Sequence, residues 1–106
     1  MSILETNILD GVALTDDGQG LSLLITDHLD WGDEYRHLVL LQDKINAYIA
    51  YCEGGQYKKT YPDAVIRYGI IELHCLHEPT ATAMEFLKQT QAQVTELGLT
   101  IRCHIS

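Results

Sequence analysis

The chain has 106 residues, 46% of them hydrophobic and 21% charged, and carries a formal net charge of −8. That is one domain's length with an ordinary globular composition, which excludes a disordered or fibrous protein. The sign of the charge argues against phosphate backbones and anionic lipid as partners.

The charge is also lopsided. Ten acids precede Gly54 (Glu5, Asp10, Asp16, Asp17, Asp27, Asp30, Asp33, Glu34, Asp43 and Glu53) against Arg36 and Lys44, whereas acids and bases balance after it. The cysteines, Cys52, Cys75 and Cys103, are odd in number and lack C-x-x-C spacing. Free thiols and a reducing compartment are expected. No apolar run reaches the ~20 residues of a spanning helix, and Met1 to Asn7 do not read as a signal peptide, so the expected location is cytoplasmic.

Ile8 to Leu14 alternate loosely and run into the turn formers Thr15 to Gly20, after which Leu21 to Thr26 reads as a second strand of a β-hairpin. The near-continuous apolar run of that strand suits a central position, leaving the first strand for an edge. A helix from Asp33 to Glu53 follows, with Leu38, Leu41, Ile45, Tyr48, Ile49 and Cys52 on one face, Asp30 or Asp33 as cap and Gly54-Gly55 as stop. Gly54 to Ala64 is a loop in which Tyr57 and Tyr61 pack and Lys58 and Lys59 are solvated. Val65 to Leu76 reads as a strand, broken at Gly69.

A second helix starts around Pro79 to Thr82, where Thr82-Ala83-Met84-Glu85 fits a capping box, and ends at Gly98. Its inward face is Ala83, Phe86, Leu87, Thr90, Val94 and Leu97. The strand Leu99 to Ile105 alternates, with Leu99, Ile101, Cys103 and Ile105 inward and Thr100, Arg102 and His104 outward. The order is β-β-α-β-α-β. One apolar face per helix predicts an α+β two-layer sandwich, with both helices on one face of a four-stranded sheet. Strand order is not fixed by these signals.

The five histidines include no H-x-x-x-H pair, and His37 stands alone on its helix. His74 and His104 share the outer sheet face if their strands are neighbours, but no set of three ligands assembles without the strand order. Surface histidines, no metal and no cofactor are therefore expected. The densest polar cluster is Asp27, His28, Asp30, Asp33 and Glu34, just beyond a strand and at a helix start. Helix capping and solubility already explain it, whereas a hydrolase or metal site would draw on Asp27, His28 and Asp30. The cysteines lie on apolar faces, and no nucleophile elbow, P-loop or dinucleotide-binding pattern occurs.

Ile25-Thr26-Asp27-His28-Leu29-Asp30-Trp31, the run Leu40 to Tyr48, Tyr61-Pro62-Asp63-Ala64 and His77-Glu78-Pro79-Thr80 together resemble a family of small bacterial proteins catalogued as a domain of unknown function. The resemblance spans the whole chain and carries no established site residues. By analogy it implies association with toxin-immunity loci. The expected function is a non-catalytic binding module for a basic protein partner, with a toxin as the concrete case. The expected contact residues are Asp27, Asp30, Trp31, Asp33, Glu34 and Tyr35. The rival expectation is a structural homodimer made through a strand edge or the tyrosine loop.

Overall fold

The structure, a computed structural model, describes residues 2–105. Its elements are β1 (Gly11–Leu14), β2 (Gly20–Asp27), α1 (Glu34–Glu53), β3 (Tyr68–Cys75), α2 (Ala81–Val94) and β4 (Leu99–Ile105). The α+β class and the order β-β-α-β-α-β are as the pattern predicts. The sheet runs β1-β2-β3-β4, with β1 antiparallel to β2 and the other two pairings parallel.

The parallel pairs are joined by helices, as crossovers between parallel strands require. Both crossovers step across the sheet in the same direction, so a common right-handedness lays α1 and α2 on one face. Leu21, Leu23 and Ile25 of β2 and Ile71, Leu73 and Cys75 of β3 point into that layer and are buried. They meet Leu41, Ile45 and Tyr48 of α1 and Leu87 of α2 in the core. Among the described residues no helix covers the opposite face, where Ser22, Leu24, Thr26, Ile70, Glu72, His74, Thr100, Arg102 and His104 alternate with the core residues.

Asp33 caps α1, its Oδ1 accepting from Arg36 N at 3.2 Å, and Gly55 supplies the left-handed residue after its end. α2 is capped by Thr80, whose Oγ1 accepts from Ala83 N at 3.1 Å. The Thr82 to Glu85 box therefore lies inside the first turn and is not the cap. Gly69 does not break β3. It sits in register with Leu99, and a Cβ there would come within 2.6 Å of the leucine Cδ2, so the absent side chain leaves the space that the Leu99 side chain occupies.

β1 begins three residues later than the alternation suggests, because the backbone of residues 8–10 bonds to α1 rather than to a strand. Lys44 Nζ donates to Ile8 O at 2.5 Å, and Asp10 N donates to Tyr48 Oη at 2.8 Å. Residues 3 and 10 flank the far end of β2 instead: Ile3 N donates to Thr26 O at 2.9 Å, and Asp10 Oδ2 accepts from Thr26 N at 2.9 Å.

Candidate functional site

Because β2, β3 and β4 are parallel, their carboxyl ends lie together, and the loops that follow β2 and β3 deliver the amino ends of α1 and α2 to the same end. All six residues expected to contact a partner fall in its first loop and helix start, but the structure divides them in two.

Asp27 belongs to the interior, and Trp31 is half-buried beside it. Asp27 continues the inward series Leu21, Leu23, Ile25 and is 3% exposed. Its partner is not His28, which is exposed, but His37 of α1, whose Nε2 lies 2.5 Å from Asp27 Oδ2. His37 Nδ1 lies 3.0 Å from the Asp30 carbonyl, and Asp27 Oδ1 accepts from Leu29 N at 3.2 Å. Each ring nitrogen thus faces an oxygen acceptor. A carbonyl can only accept, so the Nδ1 that faces Asp30 O donates, while Nε2 faces the Asp27 carboxylate. Trp31 stacks on this ring, centroids 3.6 Å apart and planes 15° from parallel.

This corrects two expectations. His37 is not a surface histidine, at 2% exposure, and Asp27 has no carboxylate to offer a partner. One face of the Trp31 ring is likewise occupied. Of Asp27, His28 and Asp30, the first is bonded to His37, the second is exposed, and the last accepts from Gly32 N at 2.9 Å through Oδ1 in its own turn.

Asp30, Asp33, Glu34 and Tyr35 remain at the surface. Tyr35 is 80% exposed, and Leu76, from the loop after β3, is 55% exposed. Glu78 adds a further exposed carboxylate at this end, and Arg36 is the base beside the cluster. Asp16 and Asp17 lie elsewhere. The hairpin turn that holds them is at the amino end of β2, and eight residues of strand put it about 23 Å away. Asp17 also fastens its own turn, accepting from Thr15 Oγ1 at 2.5 Å, Gln19 N at 2.9 Å and Tyr68 Oη at 2.7 Å. These bonds, that from Thr15 foremost, hold its carboxyl below the usual aspartate range.

A second buried ion pair went unread in the sequence. Lys44 is fully buried, and its Nζ donates to Ser2 O at 2.8 Å, Glu5 O at 2.7 Å, Ile8 O at 2.5 Å and Asp10 Oδ1 at 2.9 Å. Residues 2–10 are wound around that ammonium. The signal was there to find: His37, Leu41, Lys44, Ile45 and Tyr48 share one helical stripe, and two of the five are basic. Neither pair alters the acidity of the surface, since each neutralises one acid internally.

Among the remaining candidates, burial pushes the thiols of Cys52 and Cys75 up to about 11 and about 12, far from a reactive thiolate. A depression of about 350 Å³ between residues 7–9 and α1 is lined by Asn7, Ile8, Leu9, Ala47, Tyr51 and Gln56. That lining has no carboxylate or imidazole. The sheet edges carry side-chain covers. Gln91 of α2 accepts from Ile101 N at 2.6 Å and donates to Leu99 O at 3.1 Å, taking the place of a fifth strand along part of β4. Tyr61 Oη approaches Val12 O of β1 at 3.5 Å. Both covers work against the strand-edge dimer.

These features define an α+β domain with two buried ionic pairs and, at the carboxyl end of a one-sided sheet, a surface cluster of acids made by Asp30, Asp33, Glu34 and Glu78. The chain belongs to the family described as Family of unknown function (DUF6572), which matches residues 1–106. No curated protein and no solved structure matches it. Among the described residues, no helix is long and apolar enough to cross a membrane.

Proposed function

We propose that the protein is a non-catalytic binding module that holds a basic protein partner at the carboxyl end of its parallel strands. The observation that carries this reading is Tyr35, an aromatic side chain 80% exposed at the first turn of α1, with Asp30, Asp33 and Glu34 around it. Large rigid aromatics dominate the energetics of protein interfaces, and an exposed one among carboxylates combines an anchor with a steering field. Leu76 extends the apolar surface at the same end. The stacked Trp31–His37–Asp27 unit beneath fixes the loop, so little ordering is required on binding.

The concrete version is neutralisation of a cationic toxin, for which a negative field speeds encounter. Its setting would be the cytoplasm. The non-catalytic part of the reading is supported at this end of the sheet by the commitment of both His37 nitrogens, and elsewhere by the raised thiols of Cys52 and Cys75.

The test is capture of partners from a lysate of the source cells by the immobilised protein, in parallel with Tyr35→Ala and with the triple variant Asp30→Asn, Asp33→Asn, Glu34→Gln. Asparagine still caps a helix, so the triple variant keeps its fold. The captured protein is expected to be basic, to be lost by both variants and to dissociate as salt rises. Equal capture by all three proteins, or capture indifferent to salt, refutes the reading.

A further inference from the structure

The open face of the sheet carries a second cluster, on a different face from the partner-binding end and independent of it. β3 and β4 are adjacent and parallel, with His74 in register with His104 and Glu72 in register with Arg102. The side-chain period of a strand puts Glu72 and His74 on the same outward face, and the register brings His104 alongside. The two imidazoles stack with centroids 4.6 Å apart and planes 25° from parallel. His104 Nε2 is hydrogen-bonded to Glu72 Oε2, and Arg102 Nη1 lies 3.6 Å from Glu72 Oε1. One ligand atom from each of Glu72, His74 and His104 lies within 4.8 Å of the other two.

We propose that Glu72, His74 and His104 form a site for a divalent transition-metal ion, zinc being the ion that the donor set fits. Two imidazoles and a carboxylate are a borderline donor set, suited to zinc rather than to calcium or magnesium, which prefer oxygen alone. Zinc takes such ligands at about 2.0–2.2 Å, so tetrahedral geometry needs donor atoms about 3.4 Å apart. Side-chain rotation supplies the contraction from 4.8 Å, because His74 and His104 are both exposed. The ion replaces the proton that joins His104 to Glu72. Three protein ligands leave one position open, and with no helix over this face that position is reached by water or by a ligand from another molecule. The set is topological: Glu72 and His104 are 32 residues apart and meet only through the adjacency of β3 and β4, the condition under which the sequence puts His74 and His104 on one face.

Arg102 opposes the ion, since its guanidinium competes for Glu72 and adds a like charge. It is 58% exposed along its side chain and free to swing into solvent. This yields a test that a random surface cluster would not pass.

The experiment is calorimetric titration of chelator-stripped protein with zinc chloride. One ion per chain is expected. His74→Ala and His104→Ala should each weaken binding by at least about tenfold, the lower end of what losing even a group hydrogen-bonded to a metal ligand costs. Arg102→Ala should tighten binding, while His28→Ala and His77→Ala leave it unchanged. All these side chains are exposed, and histidine NMR signals of the unmodified protein provide the second measurement, in which zinc should shift His74 and His104 before the others. No stoichiometric binding by the unmodified protein, undiminished affinity in His104→Ala, or first shifts at His28 or His77 would overturn the proposal.

Discussion

Lys44→Met is the most informative perturbation of the fold. Methionine matches the length of the lysine stem but removes an ammonium that donates to three carbonyls and to Asp10 Oδ1. Asp10, at 2% side-chain exposure, is left as a buried carboxylate without its cation. Removing one member of a buried pair typically costs about 3–5 kcal/mol. For a domain near this size each kcal/mol shifts the melting temperature by about 4 °C or more, so a fall of at least about 12 °C is expected. The assay is urea unfolding followed by the fluorescence of Trp31, the only tryptophan, with hydrogen exchange at the amides of Ile3, Asp10 and Thr26 as a local readout. Those amides should lose protection first, since they bond across the segment that Lys44 holds. Adding Asp10→Asn should restore part of the loss, because the stranded charge disappears. A loss under about 1 kcal/mol, the range of ordinary substitutions, would mean that water serves these acceptors as well as the ammonium does.

Three further outcomes are expected. His37→Ala strands Asp27 and removes the stack under Trp31, so it should cost about 3–5 kcal/mol in thermal unfolding and flatten the near-ultraviolet dichroism of the indole; replacing both Asp27 and His37 by Leu should cost less than the single change. The thiols of Cys52 and Cys75, raised to about 11 and about 12 by burial, should react slowly with a disulfide reagent at pH 8 in the native protein and fast in urea, and rapid native labelling of Cys75 would refute its placement. Asp17 has a lowered folded-state pKa, so its bonds stabilise the hairpin fully above the unfolded aspartate value and cease to do so as pH falls through the folded one. Tyr68→Phe removes one of those bonds, and an NMR titration should then find Asp17 titrating higher.

What the sequence made legible was whatever local chemistry decides. Asp33 as cap, the glycines after α1, the hairpin around Gly18 and the alternation of β4 are read from neighbours a few residues apart. Residues satisfied at long range were misread. His37 and Lys44 are polar, and a pattern that sorts polar residues outward puts them in solvent, although they occupy the same helical stripe as Leu41 and Tyr48. Their acceptors come from the Asp27–Asp30 turn and from residues 2–10, which nothing in the helix announces. Asp27 was singled out correctly as unusual and given the wrong neighbour, since consecutive residues at a strand end point to opposite sides. The Glu72, His74 and His104 cluster needed the strand order, which alternation does not contain.

The winding of residues 2–10 around Lys44 also sets an order of events in folding. The hairpin of β1 and β2 closes over a short loop, and α1 propagates locally, so both can form early. The segment before them completes its contacts only when α1 brings Lys44 alongside, 34 residues beyond Asp10, so these contacts are expected to form late. If they do, φ-values near zero are expected at Lys44 and Asp10. Weakening such contacts accelerates unfolding while leaving refolding almost untouched. On that expectation Lys44 acts as a latch on the finished domain, and its loss should show in the unfolding rate rather than in the refolding rate.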